Sequence, residues 1–442
     1  MGCRIAVFGT GYLGATHVAC MAKLGHEVIG VDSDPEKVAT LTAGRAPFFE
    51  PGLDEVLKAS IDSGRLRFTS SYAEAAAFAD VHFIAVATPQ KRGEFAANLA
   101  QVDSVVTTLA PLLTKPAVIL GKSTVPVGTA ARLDKIVRST SPVGDAVEVA
   151  WNPEFLREGF AVRDTLHPDR IVLGVDAAHR GRAEDATREV YRDIIAEGIP
   201  FLVTDRETAE LAKAAANAFL ATKISFINAM AELCEAAGAD VSDLADAIGY
   251  DARIGRRFLD AGIGFGGGCL PKDIRAFMAR AGELGANQAL TFLREVDSIN
   301  MRLRSRMMEM ARETVGGSLI GSRVAVLGAA FKPDSDDVRD SPALNIAGQI
   351  QLQGATVSVY DPQAMDNSRK LFPTLDYATD VREACDQADV VLVLTEWEEF
   401  LRLEPSFLDS VVRYRRIIDG RNCLDQQRWR SAGWIYRGMG TR

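Results

Sequence analysis

The chain has 442 residues, too many for one ordinary domain and enough for two or three. Its apolar and charged fractions, 47% and 25%, are those of a globular protein and exclude collagen-like and disordered classes. The formal charge of −9 argues against nucleic-acid binding, which rests on phosphate neutralisation, and no apolar run approaches the ~18 residues that mark a membrane span. The first residues lack a signal-peptide core, and Ala6 stands where a myristoylation signal carries Ser or Thr, so a cytoplasmic protein is expected. Six cysteines (Cys3, Cys20, Cys234, Cys269, Cys385, Cys423) form no C-x-x-C pair, and five histidines (His17, His26, His82, His167, His179) show no ligand spacing. Neither a disulfide framework nor a metal site is expected.

From residue 4 to about 195, short β-branched runs alternate with helical stretches, the rhythm of a parallel α/β sheet. Strands are expected at 4–8, 27–31, 66–69, 81–87, 117–120 and 147–151. Directly after the first strand, Gly9-Thr10-Gly11-Tyr12-Leu13-Gly14 reads G-x-G-x-x-G and opens a helix. Glycines there allow a tight turn and close approach of a pyrophosphate to the helix N-terminus. Asp32, at the end of the second strand, is placed to accept from a ribose 2′-OH and repel a 2′-phosphate, which favours NAD over NADP. Val86-Ala87-Thr88-Pro89, Lys122-Ser123-Thr124-Val125-Pro126 and Trp151-Asn152-Pro153-Glu154 each follow an expected strand. Carboxyl ends of strands face the ligand crevice in open α/β sheets, so these loops together suit a site, although each alone reads as a turn.

Thr204 and Glu207 then form a T-x-x-E capping box, and no Gly or Pro interrupts the chain until Gly238. A helix of roughly 33 residues would be ~50 Å long. Its apolar residues recur at helical spacing (Leu211, Ala215, Phe219, Ile224, Ile227, Leu233), which suits a spine between domains and an interface between subunits. Lys213 and Asn217 share one face of it, in alanine-rich surroundings that suggest a tight site. Such a lysine can stabilise an oxyanion or relay a proton. Five glycines between Gly262 and Gly268 precede Cys269-Leu270-Pro271-Lys272-Asp273. They are expected to leave the backbone free to lie against a ligand rather than in a core. Pro271 suits a first helical turn, so Cys269 sits at a helix N-terminus beside Lys272, an environment that supplies thiolate. A further helix is expected over about 288–314.

From about 322 the α/β rhythm returns, with strands at 323–327, 356–360, 390–394 and 417–418. Gly328-Ala329-Ala330-Phe331-Lys332-Pro333 follows the first of these and lacks G-x-G-x-x-G, which argues against a second dinucleotide. The expected architecture is α/β, two Rossmann-like parallel-sheet domains (1–200 and 317–442) joined by a long helical spine with the cysteine loop (201–316).

GTGYLG, STVP, NPEFLREG, ELAKAAANAFLATKISFIN and GFGGGCLPKD occur in one order over essentially the whole chain, which resembles the UDP-glucose/GDP-mannose dehydrogenase family. The resemblance implies two successive hydride transfers to NAD, taking a sugar C6 alcohol to an acid. A cysteine captures the intermediate aldehyde as a thiohemiacetal, and water hydrolyses the resulting thioester. It makes Cys269 the nucleophile and Lys213, with Asn217, the oxyanion stabiliser. Asp273 and Thr124 handle protons through water, and Glu154 is the base for hydrolysis. It assigns Gly9, Gly11, Tyr12, Leu13, Gly14, Asp32, Lys37, Thr88, Thr124, Glu158, Lys272 and Arg339 to the cofactor. Glu154, Phe155, Leu156, Lys213, Asn217, Arg253, Phe265, Gly266, Lys332 and Arg421 fall to the substrate. Arg253 matches a position that enters a neighbouring subunit's site, so a homodimer or larger homo-oligomer is implied.

Glu154 to Gly159 and the Phe265 loop look closer to the UDP-glucose branch, with GDP-mannose and TDP-glucose as alternatives. A two-electron dehydrogenase of the β-hydroxyacid type would need neither the glycine-cradled cysteine nor the second α/β domain. A non-catalytic NAD-binding regulator would be expected to lack some of Cys269, Lys213, Asp273 and Glu154, and all four are present.

Overall fold

The computed structural model describes residues 2–176 and 181–441, so His179 lies outside the described residues. The chain divides into two compact units. One holds residues up to Ala216 together with Arg275–Leu284; the other holds Asn217–Ile274 and everything from Gly285 onward.

The first unit is built on eight strands: β1 (Arg4–Phe8), β2 (Glu27–Val31), β3 (Leu66–Thr69), β4 (Val81–Ile84), β5 (Ala117–Gly121), β6 (Val147–Trp151), β7 (Ile171–Val175) and β8 (Phe201–Asp205). Their order is β3-β2-β1-β4-β5-β6-β7-β8. Alternate β1 side chains serve opposite faces: Ile5 and Val7 join a core with Val18, Met21 and Leu57, while Ala6 and Phe8 join one with Val102, Leu133 and Trp151. Both faces are covered, as a mostly parallel sheet requires. The direction of winding reverses between β1 and β4, which makes the carboxyl ends of these strands the natural ligand crevice.

Four details depart from the expectations. The sheet is not wholly parallel, because β7 runs antiparallel to β6 through the Trp151–Gly174 pairing. Neither β7 nor β8 was expected, although Ile171–Val175 is a continuous apolar run of the kind that fills a buried strand. The expected strand at 81–87 stops at Ile84. Beyond it Val86 packs over Gly9, where an added Cβ would come within 2.7 Å of the valine side chain. The Thr204 capping box does not form, since Thr204 lies inside β8, whose pairing with β7 continues to Asp205. Asp205 is the cap instead, its carboxylate accepting from the Thr208 amide at 2.7 Å and the Thr208 hydroxyl at 2.9 Å. The helix that follows runs Arg206–Ala237, 32 residues without a break.

The second unit carries six parallel strands: β9 (Arg323–Leu327), β10 (Thr356–Tyr360), β11 (Asp376–Tyr377), β12 (Val390–Val393), β13 (Arg416–Asp419) and β14 (Ile435–Gly438). Their order, β11-β10-β9-β12-β13-β14, repeats the winding of the first six strands of the other sheet. Leu303 and Met307 of the Phe292–Thr314 helix enter the core with Val324, Val326 and Ile346. Among the described residues no helix is long and apolar enough to cross a membrane.

Gly121, the last residue of β5, shows how tightly the first sheet is packed. A Cβ there would lie 2.1 Å from the ring of Trp151, which is 1% exposed and has nowhere to go. Gly121→Ala is expected to destabilise the protein by roughly 1–3 kcal/mol through overpacking. A thermal unfolding midpoint equal to that of the parent chain would contradict this packing.

Candidate active site

The glycines after β1 divide their labour. Gly9 has φ +89° and makes the turn, and a Cβ on Gly14 would sit 1.8 Å from the Gly9 carbonyl oxygen. Gly11 has nothing within 4 Å of its would-be Cβ and is the N-cap of the Tyr12–Lys23 helix, with no side-chain cap. The first amides of that helix are thus open on one side, as a pyrophosphate needs. Asp32, just past β2, faces the same turn. Its Oδ2 accepts from the Thr10 amide and hydroxyl, both at 2.9 Å, and from Lys37 Nζ at 3.1 Å, while Oδ1 accepts from the Asp34 amide. Burial works to raise its pKa, but these donors outweigh it and hold the carboxyl below its usual range. An ionised acceptor beside an uncapped helix end fits NAD.

The loops at the strand ends are tied to this region. The Thr88 hydroxyl donates to the Thr124 carbonyl at 2.8 Å, joining two of the three polar loops. The Tyr12 hydroxyl accepts from the Gly159 amide at 2.8 Å, and its ring packs at a tilt against Phe48. Glu50 accepts from the amides of Gly159 and Ala161, both at 2.7 Å, so the segment that carries Glu158 is held at two points. Leu13 packs partly into the core behind the glycine turn.

Glu154 is more constrained than its sequence context suggests. Oε1 accepts from the amides of Phe155 and Leu156, at 2.8 and 3.1 Å, and Oε2 pairs with Lys122 Nζ at 2.9 Å. Lys122 is 3% exposed and also donates to Asn152 Oδ1 (3.0 Å) and the Tyr191 hydroxyl (3.2 Å). Burial opposes both charges. The pair nonetheless holds Lys122 above its ordinary value and Glu154 below its own. In the sequence Lys122 stands as one residue of a polar loop; its place directly after an apolar strand is the signal that it is buried. Phe155 lies between two cations, with Arg170 3.7 Å and Lys213 5.6 Å from its ring centre.

In the second unit, Cys269 immediately precedes the Leu270–Glu283 helix, and its carbonyl accepts from the Asp273 amide at 3.0 Å. It therefore occupies the N-cap position, and it is exposed. Asp273 is 4% exposed, with Asn217 Nδ2 2.6 Å from Oδ2 and Lys272 Nζ 2.5 Å from Oδ1. Asn217, Lys272 and Asp273 thus form one bonded group one helical turn from the thiol.

The glycine loop is the main correction here. Rather than lying open for a ligand, residues 261–267 are buried against protein. A Cβ on Gly262 would meet the Gly420 carbonyl at 2.6 Å, one on Gly264 (φ +84°) Asn300 Oδ1 at 2.2 Å, and one on Gly266 the Asp340 carbonyl at 2.3 Å. Phe265 is 6% exposed; its backbone N–H donates to Asn300 Oδ1 and its carbonyl accepts from Asn300 Nδ2. Arg421, which the resemblance assigns to the substrate, donates to the carbonyls of Leu394, Gly264 and Phe331, at 2.8–3.1 Å. Its guanidinium braces the loop from behind. Arg339 forks onto Asp337, and its guanidinium carbon lies 2.2 Å from a would-be Cβ on Gly268, next to Cys269. Lys332 Nζ is 5.8 Å from the Phe331 ring centre. Arg253 is 89% exposed and pairs with Asp251.

Lys122→Met would leave the Glu154 carboxylate buried without its cation, at an expected cost of ~3–5 kcal/mol at pH 7. Because the folded pKa of Glu154 lies below the unfolded ~4.3, the pair's contribution is present above that pH and lost as pH falls through the folded value. Urea midpoints of parent and variant should therefore converge on acidification. A gap that does not narrow at any acid pH would show that packing, not charge, is what Lys122 supplies.

Residues 3–195 match the NAD binding domain of the UDP-glucose/GDP-mannose dehydrogenase family, 207–302 its central domain and 325–426 its UDP binding domain. The chain is 43% identical over 437 residues to a UDP-glucose 6-dehydrogenase of Rhizobium meliloti (strain 1021), covering 99% of each. It is 41% identical over 439 residues to one of Bacillus subtilis (strain 168), covering 99% of this chain and 93% of that one. Among solved structures, a UDP-glucose dehydrogenase from Pyrobaculum islandicum aligns with TM-score 0.91 at 37% identity, over 100% of this chain and 98% of that one. A UDP-D-ManNAc dehydrogenase from Pyrococcus horikoshii aligns with TM-score 0.85 at 26% identity, over 99% of each. With all three domains matched in order around an uncapped glycine turn and a helix-capping cysteine, the chain belongs to the UDP-glucose/GDP-mannose dehydrogenase family, and its first domain is that family's NAD-binding domain.

Proposed function

We propose that the protein oxidises the C6 alcohol of UDP-glucose to the carboxylate of UDP-glucuronate, reducing two NAD per sugar. The observation that carries this reading is Cys269, an exposed thiol at a helix N-terminus, one turn from the bonded group Asn217–Asp273–Lys272. The names of relatives at 43% and 41% identity support UDP-glucose over GDP-mannose or TDP-glucose. We also propose a cytoplasmic location and three working parts, 1–200, 201–316 and 317–442.

NAD supplies the hydride acceptor for both oxidations. Asp32 selects it by accepting from the ribose. As the alcohol loses hydride and proton, Lys213 stabilises the oxygen, and Asp273 with Thr124 passes the proton to water. The thiolate of Cys269 adds to the aldehyde carbon, forming a C–S bond, and Lys213 again meets the oxyanion. Loss of the second hydride from that carbon leaves a thioester. Water then attacks, Glu154 takes its proton, the C–S bond breaks and the thiolate returns.

NADH release across UDP-glucose, TDP-glucose, GDP-mannose and UDP-N-acetylmannosamine tests the substrate, with UDP-glucose expected to dominate and to yield two NADH per acid. Cys269→Ala should bind NAD and substrate yet fail to make acid efficiently. Glu154→Gln should slow hydrolysis by ~10²- to 10⁴-fold and accumulate enzyme bearing a sugar on Cys269, visible by intact-protein mass spectrometry. Near-normal acid production by Cys269→Ala would refute the covalent route.

The long helix supports a homodimer. Phe219, Phe226 and Leu233, 67%, 48% and 59% exposed, recur every seven residues on its second-unit portion. Apolar side chains at that spacing line a single seam that a second copy of the helix would cover. Arg253 would complete the partner's site. Phe226→Glu is expected to give a monomer by sedimentation velocity with little activity; a fully active monomer would count against both statements.

A further inference from the structure

The turn that follows the Thr124 loop is gripped from two helices. Gly128, with φ +92°, is the N-cap of the Thr129–Thr140 helix and has no side chain to cap it. The missing acceptor comes from about eighty positions away: Glu210 places Oε2 2.6 Å from the Gly128 amide and Oε1 2.6 Å from the Ala130 amide. It is 2% exposed. From the other side, Arg280 Nε donates to the Val127 carbonyl at 3.0 Å.

A helix end is ordinarily capped by its own Ser, Thr, Asp or Asn. Sending a buried carboxylate from a distant helix is a costly alternative, because burial disfavours the charge; here it pushes the carboxyl up to about 7 against the pull of the two amides. What the distant carboxylate adds is a cross-link. Glu210 lies three residues before Lys213 on the Arg206–Ala237 helix, and Gly128 lies four residues after Thr124. Arg280 belongs to the Leu270–Glu283 helix that begins next to Cys269. The turn at 126–130 is therefore a shared anchor for the segments that carry Thr124 and Lys213. Thr124 is fixed at its other end by the Thr88 hydroxyl.

We propose that Glu210, assisted by Arg280, is a positioning residue for the dehydrogenase reaction, fixing the Thr124 loop to the helical turn that carries Lys213. The inference rests on the function proposed above. It implies that Glu210 acts through Thr124 and has little to do once that hydroxyl is gone. Glutamine has the same shape as glutamate but turns an NH₂ group toward one of the two amides, so Glu210→Gln breaks half of the grip.

The test is a double-mutant cycle in NADH formation, with Glu210→Gln, Thr124→Ala and the two combined. Glu210→Gln alone should lower kcat ~10-fold, as small misplacements of catalytic groups do, while leaving KM for NAD within ~2-fold. In the Thr124→Ala background the same change should cost less than ~2-fold, because residues coupled through one backbone segment are non-additive. Equal losses in both backgrounds, or an unchanged kcat in Glu210→Gln, overturn the proposal. Should Glu210→Gln fail to fold, Arg280→Met is read the same way, and an unchanged kcat there overturns it as well. The cycle uses whichever nucleotide sugar of the substrate panel the parent enzyme oxidises. An inert response to UDP-glucose alone refutes the substrate assignment and leaves the cycle to judge Glu210; inertness to the whole panel overturns both.

Discussion

The ammonium of Lys122 is buried at the end of a central strand, and much of the first unit's chemistry is arranged to keep it there. Its three partners, Glu154, Asn152 and Tyr191, come from two different segments, and the Phe83 ring lies 5.8 Å away. Burying one such charge alone is prohibitive, so the partners are obligatory rather than decorative. The loop after β6 must bend so that Glu154 points back at the sheet, and the amides of Phe155 and Leu156 then close on its other oxygen. The geometry of the loop that carries Glu154 is thus set by the electrostatics of a residue that lies beneath it.

The two sheets wind alike but differ at the first turn, and the difference explains why only one is a dinucleotide cradle. Asp361 follows β10 as Asp32 follows β2. Its Oδ2 accepts from the amides of Ala329 and Ala330 and from Trp397 Nε1, and its Oδ1 from the amides of Gln363 and Ala364. At 1% exposure, with five donors, it has nothing left for a ribose. Asp32 also anchors its turn, yet it stands beside the open face at Gly11, which has no counterpart in the sequence after β9. The same fold element borders an open helix end in one unit and is a structural rivet in the other.

What could be read from sequence was whatever depends on near neighbours along the chain. The glycine turn, the strand that delivers Asp32, the uninterrupted helix and the cysteine before Pro271 are all local patterns, and the structure contains each of them. What could not be read depends on partners far away. Thr204 and Asp205 are equally good caps in isolation, and only pairing of β8 with β7 decides between them. The glycines before Cys269 are small because Gly420, Asn300, Asp340, Phe331 and Arg339 crowd them, residues up to about 160 positions distant. Lys122 and Glu210 look like surface charges until the groups around them are known.

The burial pattern of the cysteines confines the thiol chemistry of the chain to one atom. Burial raises the thiols of Cys3, Cys20, Cys234, Cys385 and Cys423, the last with help from the Asp419 charge, and so suppresses their thiolates at neutral pH. Among the described residues Cys269 is the one exposed cysteine. Peroxide or a mild electrophile therefore meets a single reactive address. With the nucleophile's role proposed for Cys269, oxidation of that one thiol would be inactivation outright, and the reagent it consumed would measure the fraction of molecules competent to begin with.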